Sequence, residues 1–154
     1  PRHMAFHPNG RFAYVINELD STVTGFEYDA AGGALRKIET VSTLPADYNG
    51  ANSCAEITIS ANGAILYGSN RGHDSIAVYA VDAETGRLTL LQHSPTGGGH
   101  PRHFGLMPGG RYLLAANRDG DNLVTFRVEA DGTLTPTGHE AKLSKPVCVK
   151  AAYY

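Results

Sequence analysis

Three asparagines, Asn17, Asn70 and Asn117, are each followed by an ionisable residue: Glu18, Arg71 and Arg118. Some fifteen residues before each of these pairs stands another polar residue, His3, Glu56 or His103, at the start of an apolar stretch that a tight turn separates from the asparagine. A hairpin closed at such a turn lays the start of its first strand beside the end of its second. His3 then meets Asn17-Glu18, Glu56 meets Asn70-Arg71, and His103 meets Asn117-Arg118. Carboxylate, guanidinium and imidazole together can hold an anion in a forked grip, keep a carboxylate ionised and move a proton. Two readings stand for each position. The asparagines end strands and bond local backbone, the histidines make a structural hydrogen bond, and Glu18, Arg71 and Arg118 are solvated hairpin residues; or the hairpin ends form a site. Recurrence at a matched position argues for shared architecture. A change of residue type there, Glu18 against Arg71, argues for a site.

Those hairpins belong to a repeat. PRHMAFHPNGRFAYVINELDSTVTGFEYD begins at Pro1, CAEITISANGAILYGSNRGHDSIAVYAVD at Cys54 and PRHFGLMPGGRYLLAANRDGDNLVTFRVE at Pro101. Their turn glycines, Gly10, Gly63 and Gly110, are 53 and 47 residues apart. Each copy reads as four short strands with turns between. Asn9-Gly10, Asn62-Gly63 and Gly109-Gly110 serve the first turn, and Ala30 to Gly33, Ala83 to Gly86 and Asp131-Gly132 the third. Ile76, Val78 and Ala80 alternate as in a strand with one face buried. A four-stranded unit of this period is the signature of a β-propeller, so the chain reads as all-β, about three blades over residues 1–45, 54–100 and 101–154 of one domain. With their strand starts innermost, the three polar hairpin ends converge on one mouth of the central channel. Three blades do not close a ring. The chain is expected to be the C-terminal part of a larger propeller, with exposed blade faces that favour self-association. The polar stretch from Thr43 to Ser53 lengthens the first period and is expected to line the mouth.

Composition sets limits. The chain has 154 residues, 42% hydrophobic and 18% charged, with 18 Gly and 8 Pro spread along it, as in a turn-rich globular fold. A net charge of -2 without a Lys/Arg run gives no basis for nucleic acid or an anionic membrane as partner. The opening PRHMAFHPNG lacks the layout of a signal peptide, and no apolar run reaches the roughly 18 residues of a membrane span. Cys54 and Cys148 are far apart and outside any metal-ligand spacing, and read as reduced thiols of a cytoplasmic protein. There is no HExxH, GxSxG, Walker A or GxGxxG before a helix. Neither a metal nor an organic cofactor is expected. Gly97 to Gly99 reads as a linker between blades, and His7, His93 and His139, off the matched positions, as surface residues.

The phrases PRHMAFHPNGRFAYVINEL, SNRGHDSIAVYAVDAETGRL and PRHFGLMPGGRYLLAANRDGDN, with the closing PVCVK, resemble in type and order the lactonase family of seven-bladed β-propellers. That resemblance covers essentially the whole chain and implies that roughly the first four blades lie outside it. The family includes bacterial 6-phosphogluconolactonases of the pentose phosphate pathway and a fungal carboxy-cis,cis-muconate cyclase. It implies hydrolysis of a small anionic sugar lactone, with muconate-type cycloisomerisation or ligand binding without turnover as the alternatives. By motif position it implies Arg2, Glu18 and Arg71 as catalytic residues. A family histidine from an earlier blade has no counterpart here. Within that frame Glu18 is the candidate base, with Arg2, Arg71 and Arg102 as anchors for the anion. His3, His73 and His103 are candidates to orient water or carry its proton, and Glu56 and Asn70 complete the expected binding set.

Overall fold

The computed structural model describes residues 1–151. It has twelve strands in three antiparallel sheets, each strand pairing with the next in sequence. The first sheet holds β1 (His3–Phe6), β2 (Phe12–Asn17), β3 (Thr22–Asp29) and β4 (Ala34–Ser42). The second holds β5 (Ser53–Ile59), β6 (Ile65–Arg71), β7 (Ser75–Val81) and β8 (Leu88–Pro95). The third holds β9 (Pro101–Leu106), β10 (Tyr112–Asn117), β11 (Asn122–Val128) and β12 (Leu134–Lys142). No helix occurs among the described residues. The strands β1, β5 and β9 lie side by side, which makes them the innermost strands of three blades packed face to face.

Two apolar layers join the blades. Phe12, Tyr14, Ile16 and Val23 of the first blade pack against Ile57, Leu66, Ala77 and Tyr79 of the second. Tyr67, Ile76 and Val78 of the second pack against Phe104, Leu113 and Phe126 of the third. Ile76 and Val78 therefore face one neighbour while Ala77 and Tyr79 face the other, so the single buried face expected for β7 is replaced by burial on both. Every residue of β6 is buried for the same reason.

A polar tie repeats with the blade. Tyr14 Oη donates to the Gly86 carbonyl and Tyr67 Oη to the Gly132 carbonyl, each at 2.9 Å. A tyrosine from the second strand of one blade thus caps the third turn of the next. Gly86 and Gly132 have φ of +70° and +86°, the left-handed region that glycine enters at little cost.

The linker after β4 is drawn inward. Thr43 is fully buried, donating through Oγ1 to Asn70 Oδ1 at 2.7 Å while its carbonyl accepts from Asn70 Nδ2 at 2.7 Å. Asn52 Nδ2 adds 2.8 and 3.1 Å bonds to Ser21 Oγ and Asn70 Oδ1. Two of the histidines expected at the surface are covered. His7 is buried because the turn of the next blade closes over it, Gly63 having room for no side chain beside its ring, and Phe12 packs edge-on at 5.8 Å. His93 is half-buried against the His73 ring, and its Nε2 is out of solvent without a partner among the described residues. His139 is exposed. Both cysteines are free thiols, Cys54 buried and Cys148 exposed.

Candidate active site

Blade packing brings an arginine, a glutamate and a second arginine together across two blades. Arg2 continues the ladder just before β1, its amide donating to the Ile16 carbonyl at 2.8 Å, which sets its side chain beside the end of β2. Glu18 follows that end, and its carbonyl accepts from the Cys54 amide of the second blade at 2.8 Å. Arg71, the last residue of β6, reaches back the other way. Its Nη2 donates to Glu18 Oε1 and, at 2.6 Å, to the Cys54 carbonyl, while Nε donates to the Ser53 carbonyl at 3.3 Å. Arg2 Nη1 donates to both Glu18 oxygens at 3.3 and 3.2 Å. The Arg71 hydrogen bond, reinforced by Arg2 against some desolvation, holds the Glu18 carboxyl below the usual carboxylate range. Clamping by two guanidinium groups keeps Glu18 ionised and makes it a weaker base.

A second cluster runs along the innermost strands and ties all three blades. Glu56 Oε2 lies 3.0 Å from His3 Nδ1 and 3.2 Å from His103 Nε2. Sequence pairing had set Glu56 opposite Asn70-Arg71 within its own hairpin. A register shift between Cys54 and Ile57 prevents this: Cys54 pairs with Asn70, Ser53 with Arg71, and the Glu56 amide donates to Ser69 Oγ at 3.0 Å. The carboxylate then meets the histidines of the flanking blades. Burial lowers the His103 pKa, which favours its neutral ring.

Around Arg71 the third blade adds charge that the repeat pattern did not reveal. His100 adopts a positive φ of 60°, with its amide held by Asp74 Oδ1 at 2.8 Å and its Nδ1 3.4 Å from Asp119 Oδ2. It precedes the third PRH phrase. Arg102 is half-buried and has no carboxylate partner among the described residues. Arg2 Nε and His100 Nε2 are buried donor-capable atoms without partners among the described residues.

Asn70 and His73 stand apart from both clusters. Asn70 has no exposed surface, and its amide is spent on Thr43, Asn52 and Ser75. The His73 ring bonds Ser75 Oγ at 2.6 Å and packs on Tyr48 and on His93 of the outermost strand β8. No group of three or more His, Cys, Asp or Glu among the described residues is arranged to hold a metal ion. An open groove of about 1220 Å³ between the second and third blades is lined by Tyr67, Phe104, Leu106 and Val149, with Glu56 and His103 on its wall. No helix of the described residues is long and apolar enough to cross a membrane.

Known proteins share this arrangement of blades. The chain is 39% identical to the 6-phosphogluconolactonase of Bacillus subtilis over 151 residues, 97% of this chain and 43% of that protein. It superposes on a Lactobacillus plantarum protein with a TM-score of 0.92 at 37% identity, covering 96% of this chain and 43% of the other. On the periplasmic gluconolactonase of Pseudomonas aeruginosa the TM-score is 0.90 at 34% identity, covering 95% and 40%. The chain thus spans about two fifths of the length of these relatives. The model of the lactonase family, described as a seven-bladed β-propeller, matches residues 1–151, and with these identities it shows that the chain belongs to that family.

Proposed function

We propose that these blades serve the hydrolysis of 6-phospho-D-glucono-1,5-lactone to 6-phosphogluconate, a step of the pentose phosphate pathway, in the cytoplasm. The observation that carries the reading is the Arg2–Glu18–Arg71 cluster, assembled across two blades. Hydrolysis adds water to the ring carbonyl, creates an oxyanion and then breaks the ring C–O bond. Guanidinium groups fixed before the reaction suit the oxyanion and the phosphate, because donors already in place cost no reorganisation. Arg102, without a carboxylate of its own among the described residues, is the phosphate anchor, and Arg2, held by Glu18, serves the carbonyl oxygen. Two family relatives whose names specify lactones, one phosphorylated and one not, support the substrate class.

The test is hydrolysis of freshly generated 6-phosphogluconolactone, followed against its spontaneous rate, for this chain and for a polypeptide extended to seven blades. Glu18→Gln loosens both arginines and should lower kcat/KM roughly tenfold to a hundredfold, the worth of hydrogen bonds to charged groups. Arg102→Gln should raise KM for the phosphorylated lactone and leave that for glucono-1,5-lactone near its original value. Rates at background in both proteins would refute the proposal.

A further inference from the structure

We infer that His3 and Glu56 form the water-activating dyad of this channel, with His103 as the residue that positions Glu56. The inference rests on the lactone-hydrolysis reading and supplies the base that the clamped Glu18 is poorly suited to be. Its footing is the pattern of protons in the three-blade cluster. The Val149 amide donates to His103 Nδ1 at 3.3 Å, so that nitrogen carries a lone pair and the single proton of the neutral ring lies on Nε2, facing Glu56. Both His103 nitrogens are used. Glu56 Oε1 accepts from the Ile57 amide at 3.2 Å and Oε2 accepts from His3, with His103 Nε2 3.2 Å away, so the carboxylate is held at each oxygen.

His3 differs from His103 in what its far nitrogen does. Its Nδ1 faces an acceptor, so Nδ1 carries the proton and Nε2 of the neutral ring carries the lone pair. The Glu56 side chain is only 12% exposed whereas that of His3 is 42% exposed, and Nε2 has no protein partner among the described residues. A carboxylate that fixes the tautomer through one nitrogen and leaves the other open to water is the division of labour of hydrolytic acid-base pairs. His3, the first residue of β1, also directly follows Arg2 in sequence.

The step balances without any further reactant. His3 Nε2 takes a proton from water as the water oxygen bonds to the lactone carbonyl carbon. The oxyanion collapses, the ring C–O bond breaks, and the departing alkoxide receives that proton from His3. Glu56 stays anionic throughout and steadies the transient imidazolium. The remaining proton leaves with the new carboxylic acid.

Three measurements on the whole chain test this. Long-range proton–nitrogen NMR should show His3 as the Nδ1–H tautomer, a preference lost in Glu56→Gln and weakened in His103→Gln. In lactone hydrolysis His3→Gln should lower kcat on the order of 100-fold with little change in KM; Glu56→Gln should lower kcat less, and Arg102→Gln should act on KM. Diethylpyrocarbonate, read site by site by mass spectrometry, should acylate His3 fastest of the seven histidines and more slowly in Glu56→Gln. If His3→Gln keeps its kcat while Glu18→Gln loses activity, the dyad is refuted and the lactonase reading stands. If the wild-type chain hydrolyses no lactone, fast and Glu56-dependent acylation of His3 keeps the dyad for another substrate, and acylation no faster than at exposed His139 overturns it.

Discussion

His93, His100 and His103 each have a pKa pushed below that of a free imidazole, with burial as the first cause in all three. The unfolded chain takes up protons first as pH falls through 6.5, the ordinary imidazole value, while the folded rings stay neutral. Stability is therefore full above that value and is lost as pH falls below it, until the folded rings protonate too. A urea midpoint measured between about pH 8 and pH 5 should decline toward acid, and less steeply in His93→Gln, which has no proton to bind; an unchanged slope would refute the assignment to His93. The sequence misplaced this residue for a physical reason. His7 looks polar and solvated within its own blade and is covered by a turn of the next, whereas His93 is covered by the His73 ring, carried on a different turn of its own blade. Glu18 and Arg71 stand out in the sequence because residue type changes at a repeated position. Their contact with each other does not, since it needs the packing of two blades. Glu56 was legible as polar at a strand start, but a bulge redirected it from Arg71 to two histidines.

Strand number and turn positions could be read from the period because glycine marks places where the backbone takes a positive φ, as at Gly10, Gly63 and Gly132. What a turn glycine does for packing is visible only with its neighbour present. A Cβ on Gly132 would lie 2.3 Å from Ile65 Cγ1 and one on Gly86 2.5 Å from Phe12 Cδ1, whereas one on Gly10 would meet nothing within 4 Å. Gly10→Ala should thus cost about 1–2 kcal/mol from its backbone alone. Gly132→Ala carries that cost plus overpacking, for about 2–5 kcal/mol in total. Tyr67→Phe, which removes the bond to the Gly132 carbonyl and little volume, should cost about 1 kcal/mol. Urea denaturation of the three variants should give that order. Equal losses for Gly10→Ala and Gly132→Ala would mean that the third turn is not wedged between blades.

Across the whole molecule the repeat is interrupted at its two outer faces. Leu114 stands where Tyr14 and Tyr67 stand in the first two blades, so the third blade has no hydroxyl to cap a following turn. Gly33 has a φ close to those of its counterparts Gly86 and Gly132, yet a Cβ there would meet nothing within 4 Å, because none of the described blades packs on that side. The same face of the first blade shows Met4 at 43%, Phe6 at 51% and Leu35 at 44% exposure, with Phe6 packed edge-on against Tyr28. In the middle blade the corresponding Ile57 and Leu88 are buried and Ile59 is partly buried. Covering apolar area returns about 25 cal/mol per Å², so a face built to receive another sheet favours association even when that sheet is absent. Sedimentation velocity over a range of micromolar concentrations should show species heavier than the 16.4 kDa chain. Met4→Glu with Phe6→Glu places two carboxylates on the open face, away from the first interblade layer, and should shift the distribution to monomer without changing the far-ultraviolet spectrum. A wild-type chain that stays monomeric at every concentration would show that this face is tolerated in water, and would remove the packing argument for self-association.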